Sequence, residues 1–287
     1  MESKVLKRVF GLSMAILMAA PMIAYSAFGL TAHAEEEYVP VEVGKTLGEC
    51  FPDPEFARYV YNYVLEEDYS APLDYKLTQD DVNRIKTTKR ISCDSIDNLC
   101  DLTGIQNFES LEQLACFLTD VKSIDVSKNT KLKEFTCSFT KIENLDLSQN
   151  TELLSLTCYC PNITHLDLSH NKKLVALSCL RTGITNLDVS NNTELTIFNC
   201  SLNKIKNIDL SKNTKLTRFN CSSTDITSLD LSNNVDLTSV ICSNTGITNL
   251  DVSNNKKLIY LDCSNTCIEK VDVSNNTELK IFIANKK

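Results

Sequence analysis

The chain has 287 residues, 43% of them hydrophobic and few of them Gly or Pro, so it can bury a core and lacks the composition of a disordered segment. Its formal net charge is -8. Nucleic acid and anionic membrane surfaces call for basic patches, so neither is expected as a partner.

The first 34 residues read as a targeting segment. Lys4, Lys7 and Arg8 precede an apolar run at 9–23, and small residues then lead to Ala32-His33-Ala34, an A-x-A cleavage pattern. The run falls short of the roughly 20 residues that a membrane-spanning helix needs. Export is expected, with cleavage after Ala34, no membrane insertion afterwards, and release or loose retention at a cell surface. Loss of Glu2, Lys4, Lys7 and Arg8 removes a net +2 and leaves a charge of about -10. Residues 35–49 read as a flexible segment.

Residues 50–88 predict a small helical cap. Asp53 is placed to cap a helix with Pro54 at its first position. Phe56, Tyr59, Val60 and Tyr63 come next at helical spacing and predict its apolar face. A second short helix is expected from Thr78, with Asp80 and Asp81 favourable in its first turn. The acidic loop at 66–75 lacks the alternating ligands and central Gly of a calcium loop, so no calcium is expected there. Such a cap would shield the strand edge and apolar interior of the first coil of a repeat array.

From 111 to 278 the chain repeats with a fixed period. Asp125, Asp146, Asp167, Asp188, Asp209, Asp230, Asp251 and Asp272 are spaced by 21 residues. Asn129 to Asn276 and Cys116 to Cys263 keep the same step, giving eight units without insertion or deletion. Within one unit, Leu153, Leu156 and Cys158 form L-x-x-L-x-C, and Ile163, Leu166 and Leu168 form I-x-x-L-x-L. Each half ends in the alternation of a strand with one face inward. The reading is a solenoid, mainly parallel β, with two short strand-like stretches per coil, tight turns and almost no helix. Cys93 reads as the ladder residue of a degenerate first coil, and the solenoid as a whole spans 89–287.

The pattern L-x-x-L-x-C-x-x-T-x-I-x-x-L-D-L-S-x-N resembles the leucine-rich repeat, in a bacterial 21-residue form that nests two L-x-x-L-x-L halves. The preceding Phe51-Pro52-Asp53, Leu77-Thr78-Gln79 and Gly104-Ile105-Gln106 resemble the helical amino-terminal cap of listerial internalins and related secreted Gram-positive proteins. This resemblance implies a curved, non-enzymatic scaffold for protein recognition. The chain departs from internalins in its cysteine-bearing 21-residue repeats, and in showing neither an immunoglobulin-like carboxy-terminal cap nor a wall-anchoring sequence.

Each ladder cysteine lies two residues after an inward Leu, Phe or Val, hence on the inward face. There it fills a narrow interior as a compact hydrophobe. Disulfides between rungs are the alternative, but parallel side chains about 4.8 Å apart sit farther than a disulfide's usual Cβ separation, and 13 cysteines cannot all pair within one chain. Cys160 and Cys267 lie off the ladder and are expected at the surface. Zinc at Cys158 and Cys160 with His165 and His170 is not expected, because the ladder turns Cys158 inward. Stacked aspartates would repel by about 1 kcal/mol per adjacent pair even in water; donors from the adjoining Ser row and turn amides are expected to offset this, with divalent cations as the alternative. The Asn row is expected to bond backbone groups in the bend.

Uniform rows cannot encode a partner, so recognition is assigned to outward positions of the cysteine strand. The candidate track is Phe117, Tyr159, Leu180, Ile197, Arg218, Ile241, Tyr260 and Asp262, in which aromatics and Arg are typical interface anchors. A protein ligand is the first expectation. A glycan or cell-wall polymer is the second, weakened by the absence of Trp. No cofactor is expected, nor an enzyme: no catalytic constellation stands apart from the repeat. The terminal half-coil 279–287 has no evident cap, so its edge either frays or pairs with another molecule.

Overall fold

A computed structural model describes residues 38–67 and 72–284 of the protein. The expected targeting segment lies outside these residues. The stretch 38–49, expected to be flexible, is part of the cap. Val41 and Leu47 are buried. The Leu47 N–H donates to the Tyr75 carbonyl (2.8 Å), and the Leu77 N–H donates back to Lys45 (2.9 Å). Thr46 and Glu49 form a capping box that starts α1 (Leu47–Cys50). That T-x-x-E signal was present in the sequence.

Helix α2 (Pro54–Tyr59) starts where expected. One oxygen of Asp53 accepts from the Glu55 and Phe56 N–H groups (2.8 and 3.1 Å). The other accepts from Cys100 and Asp101 (2.9 and 3.0 Å), so one carboxylate caps the helix and ties it to the first coil. The expected apolar face holds for Phe56, Tyr59 and Val60 but not for Tyr63, which is 68% exposed. The cause is a change of pitch. Val60–Val64 winds as a π turn closed by the Leu65 N–H on the Val60 carbonyl (3.0 Å), and the added residue per turn carries Tyr63 off the face. Helix α3 (Gln79–Thr87) begins at Thr78 as expected, with Asp81 completing its capping box. Where the cap meets the solenoid, Gly104 has φ +100°, and a Cβ there would lie 2.2 Å from the Cys50 carbonyl oxygen. Only glycine fits.

The solenoid carries ten three-residue strands among the described residues, from β1 (Arg90–Ser92) and β2 (Gln113–Ala115) to β10 (Ile281–Ile283). They pair in parallel in chain order, and each strand's central residue lies opposite the next, as Leu114 does Phe135 and Phe135 does Leu156. The inward central residues of β1 to β9 and the ladder cysteines, none more than 2% exposed, form the core. Cys93 is also buried and takes the ladder position of the first coil. Burial pushes the ladder thiols above their usual pKa, Cys242 to about 12. The thirteen cysteines are all unpaired. At the far end the three β10 side chains stay exposed.

Each coil forms one strand, not two. The second half-coil does turn Ile163, Leu166 and Leu168 inward, but its backbone bends at the Asp-x-Ser step rather than continuing a ladder. All eight aspartates of the row accept the N–H of the serine two residues on, at 2.8–2.9 Å. This is the Asx-type turn that competes with strand pairing. It also holds Asp146, Asp167, Asp188, Asp209, Asp251 and Asp272 below the usual carboxylate pKa. In the bend after it each Asn bridges coils. Asn150 Nδ2 donates to the Val126 and Asn129 carbonyls at 3.0 and 2.9 Å, and the pattern repeats along the row.

Candidate functional site

One residue of the candidate track, Leu180, is buried, and the others reach solvent to different extents. Phe117, Ile197, Ile241, Tyr260 and Asp262 are half-buried, and Arg218 is exposed beside Ile197 in the next strand. Leu180 is 5% exposed and cannot serve as a contact. It sits one coil beyond Tyr159, with Arg181 folded over that ring, the guanidinium carbon 5.5 Å from its centre. Asp262 is engaged in its own turn, accepting from the Ser264 N–H and hydroxyl (3.0 and 2.6 Å). Asn199 and Asn220 hold their neighbouring serines by the same backbone contact.

Phe117 and Tyr159 are brought together, though not directly. Phe139 lies between them, edge-on to both, with ring centroids 5.2 Å from Phe117 and 4.1 Å from Tyr159. Phe139 is 42% exposed, and Leu118 and Leu202 flank the group more openly still. With Arg181 over Tyr159, these residues make an aromatic ledge across consecutive coils.

Phe139, Leu118, Arg181 and Leu202 were missed by sequence reasoning because they lie beyond the strand, two residues after the ladder cysteine. The backbone there is left-handed, with φ of 55° at Leu118, 57° at Phe139, 49° at Arg181 and 59° at Leu202. The ladder enforces it, because in this conformation the N–H reaches the next coil. Phe139 donates to the Tyr159 carbonyl (2.8 Å) and Leu202 to Ser222 (2.9 Å). Later coils fill the same column with Ser223, Asn244 and Asn265. Asn tolerates this region best after Gly, and bulky residues adopt it at a cost of roughly 1 kcal/mol or more. The signal in the sequence was the change in that column from Leu, Phe and Arg to Ser and Asn.

Cys160 occupies the same column but is buried, contrary to the surface position expected for it, whereas Cys267 is exposed. Pro161 comes directly after Cys160 and restricts its backbone; its φ is not positive. The side chain turns inward, against the Cys137 carbonyl and 3.2 Å from Thr140 Oγ1. His165 and His170 are exposed while Cys158 and Cys160 are fully buried, so these four do not converge. Among the described residues no three His, Cys, Asp or Glu side chains group closely enough to hold a metal ion. No helix there is long and apolar enough to cross a membrane.

Neither a protein-family model nor a curated protein matches the chain. Solved structures do. The functional domain of InlJ from Listeria monocytogenes, whose structure includes a cysteine ladder, is 29% identical with a TM-score of 0.58 over 85% of this chain and 62% of that one. The chain thus spans less than two thirds of the InlJ domain. The L. monocytogenes internalin InlF gives a TM-score of 0.66 at 20% identity, over 84% and 78% of the two chains. Internalin C2 of the same organism gives 0.60 at 20% identity, over 86% and 99%. The protein is a leucine-rich repeat solenoid. More narrowly it resembles the internalin structures, and it carries a cysteine ladder as the InlJ structure does.

Proposed function

We propose that the chain is an exported, non-enzymatic scaffold that holds a protein partner along the outer ends of its strands, anchored by Phe117, Phe139, Tyr159 and Arg181. The observation that carries this reading is Phe139. A large aromatic side chain sits in the left-handed region and faces solvent, where later coils use Ser or Asn. Folding alone would favour the small polar residue. The few residues that dominate binding at protein interfaces are enriched in Tyr, Trp and Arg, and Ile197, Arg218, Ile241 and Tyr260 extend the surface over later coils. The likeness to internalin structures supports recognition rather than catalysis. The expected export fits the same role.

The test is capture of proteins by the immobilised full chain from the culture surroundings, beside Phe139→Asn and Tyr159→Ser. A specific protein should be retained by the parent and fall at least tenfold with either variant. Equal retention would contradict the proposal, as would binding only to a glycan array.

A further inference from the structure

Close in sequence to Phe139 and Tyr159, the ladder thiol of Cys137 meets a second thiol, Cys160, from off the ladder. Ladder cysteines are held one per rung by in-register strands, and that spacing keeps neighbouring Cβ atoms farther apart than a disulfide allows. Cys160 is off the ladder. The Pro161 turn swings it back towards the preceding coil, and its Sγ stops 3.9 Å from Cys137 Sγ, with both residues fully buried. Thr140 Oγ1 contacts the same sulfur (3.2 Å) and also donates to the Cys137 carbonyl (3.1 Å), so the small cluster is fixed on three sides. Tyr159 and Phe139, the closest-packed pair of the ledge, are Cys160's chain neighbour and the residue two beyond Cys137.

We propose that Cys137 and Cys160 form a modification site: a dithiol that a two-electron thiol oxidant closes to a disulfide, locking two adjacent coils together. Two S–H bonds break, one S–S bond forms, and the two protons and two electrons pass to the oxidant. With the azo compound diamide, the N=N bond takes up both and becomes a hydrazine. Its contacts with Cys137 Sγ and Thr140 hold Cys160 below the usual thiol pKa, whereas burial holds Cys158, Cys179 and Cys200 above it. Whichever sulfur first attacks the oxidant, the other lies 3.9 Å away to displace it and close the bond. The cross-linking chemistry stands apart from the binding proposal; only its effect on the ledge rests on it.

The experiment uses the full chain with Cys100→Ser and Cys267→Ser, which removes the two exposed thiols. The protein is treated with diamide, unfolded, alkylated and mapped by fragmentation mass spectrometry. A loss of two titratable thiols and a single Cys137–Cys160 linkage are expected. Cys160→Ala in the same background should lose none. No linkage, or a linkage through Cys158 that persists in Cys160→Ala, would overturn the proposal. Capture by oxidised and reduced protein is then compared separately, so that a failed binding reading is not mistaken for a failed cross-link.

Discussion

Asn213 shows how much one side chain carries in a repeating structure. Its Nδ2 donates to the Val189 carbonyl (3.0 Å) and the Asn192 carbonyl (2.9 Å), and the residue is fully buried. Its Oδ1 is buried without a hydrogen-bond partner, as in every other member of the row. The row is selected for its two donors. Asn213→Asp should therefore be worse than a lost contact, since it orphans two carbonyls and buries a charge. A loss of about 3 kcal/mol or more is expected in urea unfolding, and Asn213→Ala should lose less. Equal stability of parent and Asp variant would refute this role. Phe139 argues the opposite case. Phe139→Asn should preserve or raise Tm, by up to about 1 kcal/mol in stability, while weakening capture of the partner; a clear drop in Tm would mean that the ring serves folding instead. The Asn row and the inward cysteines were legible because each repeats in an invariant column. Phe139 was not, because a left-handed φ leaves no mark in a single residue's identity. Cys160 was misplaced because the effect of Pro161 on the turn is local to one coil.

At the scale of the element, the coil closes with one ladder and one string of turns. Both half-coils carry the same apolar alternation, so periodicity alone reads two strands. The deciding feature is the aspartate, whose carboxylate captures the serine N–H two residues on and bends the chain. The neighbouring aspartates raise Asp188's pKa, but the serine contacts outweigh them and the net shift is downward. A group whose folded pKa is depressed lends stability above its unfolded pKa of about 3.9 and loses it as pH falls through the lower folded value. Tm should accordingly stay level from about pH 7 to 5 and decline below about pH 4. A rise in Tm on acidification would show that repulsion along the row dominates. Another column escaped the sequence reading. Lys131, Glu152, Lys173, Glu194, Lys215, Asp236, Lys257 and Glu278 alternate in sign coil by coil. Lys173–Glu152, Lys215–Glu194 and Lys257–Asp236 close at 2.6 Å. Exposed pairs contribute little to stability, but a slip of one coil would set like charges side by side, so the column guards register. Lys215→Glu should lower Tm slightly at low salt, and the difference should fade at high salt; a drop independent of salt would contradict an electrostatic role.

For the whole molecule, a helical cap and a stack of near-identical coils build a frame along which the variable residues of the strands face outward. The architecture was open to sequence reasoning because a 21-residue period admits few alternatives. The cap was readable at Asp53, Pro54 and Thr78, where capping chemistry has fixed spacing. It was less so at 60–64, where a π turn breaks the helical count. The proposed partner surface was only partly readable. Strand periodicity pointed to Phe117 and Tyr159, while Leu180 proved buried and the ledge gained its centre from outside the strand. All of this rests on the ladder sulfurs being interior packing. Timed alkylation of the native protein by iodoacetamide, resolved by peptide mass, measures that directly. Cys100 and Cys267 should react promptly, and the ladder cysteines other than Cys137 only after unfolding. Prompt native labelling of Cys158, Cys179 or Cys200 would contradict the account.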